Sequence, residues 1–194
     1  MSASDADLLE HWRAGDRDAG NTLLQKHLQP LLRFFANKVP ESDYHDLAQR
    51  SLMRCVEARD RIREGSSFRA YLFAIARNEM LMHFRRRGGG PDIELGLTSV
   101  AALGTTPSRA VARDQEQAFL VTALQSLPVD VQLLLELHYW EEMPAAELAS
   151  VFDIDPTTVR TRLHRARARL RAALEEAQTP PSLRERLLRP FEPQ

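Results

Sequence analysis

Asp155-Pro156-Thr157-Thr158-Val159-Arg160-Thr161-Arg162-Leu163-His164-Arg165-Ala166-Arg167-Ala168-Arg169-Leu170-Arg171 reads as a helix with one buried stripe and charge of a single sign. Asp155 offers an oxygen to the orphan amides of a first turn, and Pro156 suits the first helical position, where no amide is needed. Val159, Leu163, Ala166 and Leu170 follow at intervals of four, three and four, the spacing of one helical face. The arginines at 160, 162, 165, 167, 169 and 171 occupy the other faces with no acid among them. Upstream, from Asp114 to Asp155, acids stand at 114, 116, 130, 136, 141, 142, 147, 153 and 155 without one Lys or Arg. Such segregation builds a strong local field in a chain whose formal net charge is only −1. The basic helix is suited to a polyanion.

Pro144 to Phe152 reads as a short helix with Leu148, Val151 and Phe152 inward, and Asp153-Ile154-Asp155 as a tight connection. Short helix, tight turn and long basic helix make a helix-turn-helix, whose second helix enters the DNA major groove. A helix of this kind reads bases with its N-terminal part, which nominates Arg160, Thr161, His164 and Arg165 for base edges and nearby phosphates. Arginine takes guanine O6 and N7 in a bidentate pair, and threonine donates to a base or meets a thymine methyl. Thr157 and Thr158 sit where helix-end amides bind phosphate. His164 on a polar face also fits a merely solvated role. Arg162, Arg167, Arg169 and Arg171 point progressively away, toward phosphates or solvent.

Working outward, helical periods recur along all 194 residues and no alternating β-branched run exists, so the expected fold is all-α. Glycine and proline displace the period from Gly88-Gly89-Gly90-Pro91 to Gly104-Thr105-Thr106-Pro107-Ser108, which predicts a flexible linker over 89–109. Two small helical domains are therefore expected, 1–88 and 110–177, the second holding the helix-turn-helix, followed by a tail over 178–194. That tail, with one short amphipathic helix from Ser182, could fold back on either domain, bind a partner or stay disordered. In the first domain, helices are predicted from Asp5 to Ala14, from about Ala19 to Lys38 with a bend or restart near Pro30, and from Ser42 to about Arg61. A longer helix follows from Phe68 to Arg87, capped by Ser66 or Ser67. Leu72, Phe73, Ile75 and Ala76 on it read as core. Arg85, Arg86 and Arg87 suit either phosphate contact or compensation of the helix dipole.

The single cysteine, Cys55, excludes an internal disulfide and a cysteine zinc cluster, and lies on an apolar stripe as a small buried hydrophobe. No signal peptide and no membrane-length apolar run is found, so a cytoplasmic protein is expected. No paired-histidine metal motif, phosphate-binding glycine loop or recognisable nucleophile occurs, so no metal, cofactor or enzymatic activity is expected. Clustered Asp43, His45 and Asp46 read as a helix start.

Asp46-Leu47-Ala48-Gln49, Phe68-Arg69-Ala70-Tyr71-Leu72-Phe73-Ala74-Ile75-Ala76-Arg77-Asn78, Arg85-Arg86-Arg87, Leu124-Gln125-Ser126-Leu127-Pro128, Ala146-Glu147-Leu148-Ala149 and Thr158 to Arg167 follow one another in an order that resembles the extracytoplasmic-function group of bacterial RNA polymerase sigma factors. The resemblance covers nearly the whole chain. It implies a promoter-specificity subunit that binds core RNA polymerase and promoter DNA, with an anti-sigma factor as a further partner by family habit. It also implies that Asp46, Leu47, Gln49, Leu52 and Arg54 dock on the clamp of the β′ subunit, while the second domain meets the β flap. Ser66, Ser67, Phe68 and Asn78 would read an unpaired base of the minus-ten element, and Arg85 and Arg86 would touch its phosphates. The 156–171 helix would lie in the minus-thirty-five major groove. Tyr71 stands where the family commonly has tryptophan, Met82-His83 replace an acid, and Arg50 reverses a usually negative position. From the helix-turn-helix alone, an operator-binding regulator is the competing reading.

Overall fold

In the computed structural model, which describes residues 3–62, 67–89, 93–103 and 115–192, the regular elements are helices. Four build the first group: α1 (Asp5–Arg13), α2 (Arg17–Ala36), α3 (Glu41–Glu57) and α4 (Phe68–Phe84). Five build the second: α5 (Gln115–Ser126), α6 (Val129–Tyr139), α7 (Ala145–Phe152), α8 (Pro156–Glu176) and α9 (Pro181–Leu188). None of the described helices is long and apolar enough to cross a membrane.

Local chemistry sets the helix starts. Ser4 and Asp7 form a reciprocal capping box on α1. Asp16 accepts from the Asp18 and Ala19 amides at 2.9 and 3.1 Å to open α2, after a turn in which Gly15 takes a φ of +103°. Pro30 lies inside α2, which runs as one element from Arg17 to Ala36 without a restart. Gly20 on α2 lets the Trp12 indole of α1 lie directly against the backbone, since a Cβ there would stand 2.5 Å from the ring. The third helix ends at Glu57 and gives way to a 3-10 turn, Arg59–Arg61, where the Arg13 guanidinium donates to the Arg59 carbonyl at 3.3 Å and to the carbonyl of Ile62 just after it.

The helices pack on two cores. One runs from Leu8 and Trp12 through Phe34, Phe35, Leu47, Phe73 and Met80 into Leu133, Leu148, Phe152 and Leu163, and so belongs to both helical groups. The other is confined to the second group, where Leu124, Leu135, Leu170 and Leu174 enclose Leu188 and Phe191. The tail thus folds onto the second domain. The Tyr139 hydroxyl donates to the Phe191 carbonyl at 2.9 Å, and the two rings meet edge to face.

Within the linker, residues 93–103 rest on the start of α6. Ile93, Leu95 and Val100 are buried, and the Val129 and Asp130 amides donate to the Thr98 and Leu95 carbonyls at 2.9 and 2.8 Å. These are first-turn amides with no partner inside their own helix. The linker therefore serves as the cap that Pro128, lacking a side-chain acceptor, does not supply.

Between the two groups lies a row of ion pairs. Lys38 at the end of α2 is fully buried against Glu136 of α6, with the Asn37 amide donating to the same carboxylate at 2.8 Å. Arg77 of α4 grips Asp130 through Nε and Nη2 at 2.7 and 2.6 Å. Arg69 holds Glu147 at 3.0 and 2.7 Å, and Arg33 holds Glu141 at 2.9 Å. Four acids of the base-free stretch, Asp130, Glu136, Glu141 and Glu147, find their cations on the first domain, while Glu116 pairs with Arg186 of the tail.

Candidate nucleic-acid interface

The turn before α8 depends on one backbone residue: Asp153 closes α7 in the left-handed region at φ 52°, ψ 52°. A short polar side chain tolerates this conformation better than a branched one, so the turn dispenses with glycine. Asp155 then accepts from the Thr157 amide at 2.7 Å. These hydrogen bonds hold the Asp155 carboxyl below the ordinary range for aspartate. With its start fixed, α8 buries Val159, Leu163, Ala166 and Leu170, and the stripe continues to Ala173 and Leu174.

Thr157, Thr158, Arg160, Thr161, His164 and Arg165 all lie exposed on this helix. At 100° per residue, Thr157, Thr161 and His164 form the central outward stripe, with Arg165 beside it. Arg160 falls on one flank with Arg167, beside a cleft of about 850 Å³ reaching Tyr139 and Glu192. Thr158 and Arg162 fall on the opposite flank, where Arg162, Arg165 and Arg169 border a cleft of about 330 Å³ with Glu94 and Asp130. Arg167 donates to the Tyr139 hydroxyl at 2.8 Å, so it is held toward α6.

The first domain presents its candidate residues less uniformly. Ser67 is spent locally, accepting from the Ala70 amide at 3.2 Å as the cap of α4, and Ser66 lies outside the described residues. Phe68 requires a correction. Expected to offer its ring to an unpaired base, it is 1% exposed, wedged against His27 and Trp12 at ring distances of 5.4 and 6.5 Å. Its apolar area is worth more inside the core than facing water, and the cap at Ser67 turns the helix so that it points there. Asn78, Arg85 and Arg86 are exposed. Tyr71, Asn78 and Arg85 repeat every seven residues and share one face, with the Tyr71 ring half-buried. The seven-residue spacing is the signal of this face in the sequence, whereas Phe68 lies outside it.

On α3, Asp46 and Gln49 are exposed, whereas Leu47 is fully buried and Leu52 packs against the core. Leu47 is the second correction: its position in the helical period turns it inward, away from any docking partner. The exposed face continues instead through Met53 and Val56, which are 55% and 37% exposed. Two such apolar side chains at helical spacing beside Asp46 and Gln49 are suited to contact another protein. Arg54 stands 2.6 Å from the buried Glu79 carboxylate and Arg50 3.4 Å from it. The positive charge at 50 therefore has a structural partner, since Glu79 would otherwise be buried with half of its compensation.

A sequence model of Sigma-70 region 2 matches residues 23–89, and one of Sigma-70 region 4 matches residues 120–170. Among curated proteins, the chain is 29% identical over 181 residues to the RNA polymerase sigma-H factor of Pseudomonas aeruginosa, covering 88% of this chain and 94% of that protein. The chain belongs to the extracytoplasmic-function group of sigma factors. It is also 25% identical over 173 residues to the ECF RNA polymerase sigma-E factor of Escherichia coli K12, covering 84% of this chain and 91% of the relative. Of solved structures, CnrH in complex with the cytosolic domain of CnrY is similar in fold, with a TM-score of 0.65 over 89% of this chain and 97% of that one at 24% identity. The sigma factor RpoE in complex with the anti-sigma factor NepR from Bartonella quintana matches at 25% identity, with a TM-score of 0.60 over 80% of this chain and 96% of that chain. Sigma factors bind core RNA polymerase and recognise promoter DNA.

Proposed function

We propose that this sigma factor divides its work between two domains: residues 110–177 set α8 in the minus-thirty-five major groove, and residues 1–88 bind core polymerase and read the separated minus-ten strand. The carrying observation is the exposed face of α8 over residues 156–171, which holds no acid, with Thr157, Thr161, His164 and Arg165 outward over a continuous buried stripe. Arg160 and Arg165 flank that stripe as guanine or phosphate contacts, and Thr158 reaches the backbone.

Core docking falls to the exposed α3 face of Asp46, Gln49, Met53 and Val56, with Arg54 at its edge, against the β′ clamp. The second domain meets the β flap. Asn78, Arg85 and Arg86 serve the minus-ten strand, with Tyr71 supplying the ring that an unstacked base requires. The subunit performs no catalytic step of its own, works in the cytoplasm, and has an anti-sigma factor as a further partner. Run-off transcription with purified core enzyme on genomic fragments tests this reading. Promoter-dependent starts that disappear in Arg165→Ala, with core binding retained, support it. A chain that directs no start site with core bound refutes it.

A further inference from the structure

We infer that the C-terminal tail is a functional part of the DNA-reading domain: through the Tyr139 hydroxyl it holds the Arg167 guanidinium in place for a backbone phosphate at the flank of α8. The inference rests on the reading of α8 as the groove helix and adds the residues that seat it. The tail is fastened to its own domain at several points. Leu188 and Phe191 are buried in the second core. Arg184 pairs with Glu175 of α8 at 3.2 Å, and Arg186 pairs with Glu116 of α5. Phe191 also meets the Tyr139 ring edge to face, with ring centres 5.0 Å apart, and lies 6.4 Å from the Trp140 ring. This packing brings the Phe191 carbonyl to the end of α6.

The direction of two hydrogen bonds carries the next step. The single proton of the Tyr139 hydroxyl goes to the Phe191 carbonyl at 2.9 Å. Its lone pairs are left to accept, and Arg167 Nη1 donates to them at 2.8 Å. A guanidinium has no acceptor, so the tail carbonyl fixes the hydroxyl in the only sense that can hold it. Each bond of such a chain also polarises the next. The holding partner is neutral. Among the described residues no carboxylate stands within ion-pair distance of Arg167, whereas Arg184 and Arg186 of the tail are both compensated. Arg167 therefore keeps its whole charge and its remaining N–H donors for another acceptor. It follows Arg160 by seven residues on one flank of α8, and both line the cleft beside Pro190 of the tail. A long side chain gives up rotamer freedom when it binds, and here part of that loss is taken when the protein folds. Phosphate contacts orient a helix without reading sequence, so Arg167 seats α8 while Thr161, His164 and Arg165 face the bases.

The test is a double-mutant cycle of Tyr139→Phe and Arg167→Ala in the full chain. Phenylalanine keeps the ring on Phe191 and deletes only the hydroxyl, so both variants should melt as folded proteins. Two probes are used: a duplex of scrambled sequence with the chain alone, and a promoter fragment with the chain on core polymerase. On each, Arg167→Ala should lower the slope of log affinity against log salt by about 0.9, the share of one phosphate. Tyr139→Phe should weaken binding about threefold at one salt concentration, the cost of ordering one freed side chain. It should add nothing in the Arg167→Ala background. A chain ended after Leu188, which lacks the Phe191 carbonyl, should match Tyr139→Phe; if that shorter chain melts early, Tyr139→Phe decides alone. An unchanged slope in Arg167→Ala overturns the inference. So does equal weakening by Tyr139→Phe in both backgrounds, the mark of a hydroxyl that serves the fold alone. A phosphate contact is blind to sequence, so preference for the promoter fragment tests the sigma-factor reading separately, and either can fail without the other.

Discussion

Glu136 on α6 neutralises the Lys38 ammonium at the end of α2, a fully buried lysine 98 residues earlier in the chain. Burial pushes the Lys38 pKa down, opposed by attraction to Glu136. Replacing one partner leaves an uncompensated charge inside the protein, so Glu136→Ala is expected to destabilise the fold by about 3–5 kcal/mol. Lys38→Met combined with Glu136→Met removes both charges and should recover most of that loss. Urea unfolding of the two variants, read as midpoints at constant slope, measures the difference.

Gly20→Ala tests the packing of α1 on α2. The added methyl would stand 2.5 Å from the Trp12 ring, closer than any van der Waals contact. A loss of about 1–3 kcal/mol is expected, the usual consequence of overpacking a filled core. A Trp12→Leu background, which opens that space, should reduce the penalty. An equal penalty in both backgrounds would locate the strain elsewhere.

Acid sensitivity should arise in part at Asp5. Its carboxyl pKa is lowered from 3.8 to about 2, chiefly by its hydrogen bond with His27 and also by Lys26. A carboxyl depressed in the folded state contributes stability that is complete above its unfolded value and is lost as pH falls through the folded one. Stability of the native protein should therefore decline between about pH 4 and pH 2. Asp5→Asn should be less stable near neutrality and show a flatter decline across that window, as followed by thermal melts.

Cys55 should be inert in the native protein. Burial raises its thiol pKa to about 12, so the nucleophilic thiolate is scarce at neutral pH. A thiol-reactive chromogenic disulfide is expected to label it only after unfolding. Rapid labelling of native protein would show that α3 opens locally far more often than its buried position implies.

Arg165→Ala should weaken duplex recognition by roughly tenfold or more, the range for losing a base contact of about 1–3 kcal/mol. Arg167→Ala should do less to base preference, because its guanidinium is turned toward the Tyr139 hydroxyl. Binding of each variant holoenzyme to promoter DNA, compared at one salt concentration, separates the two.

Along the chain, what could be read was whatever repeats locally. The cap at Asp155, the stripe of Val159, Leu163, Ala166 and Leu170, and the break at Gly88-Gly89-Gly90-Pro91 declare themselves through neighbours a few residues away. Helical period, capping and charge sign are short-range properties, so the all-α class, the helix-turn-helix and the basic face of α8 followed from them. Phe68, Leu47 and the acids before α8 were decided otherwise. A ring beside a loop or a leucine in an amphipathic helix has the same local pattern whether it meets solvent or core, and only the partner helix settles which. The acids at 130, 136, 141 and 147 have no Lys or Arg near them in the sequence because their cations, Arg77, Lys38, Arg33 and Arg69, lie on a different domain. Charge pairing across such separations depends on how helices pack, and the packing exists only once the chain has folded.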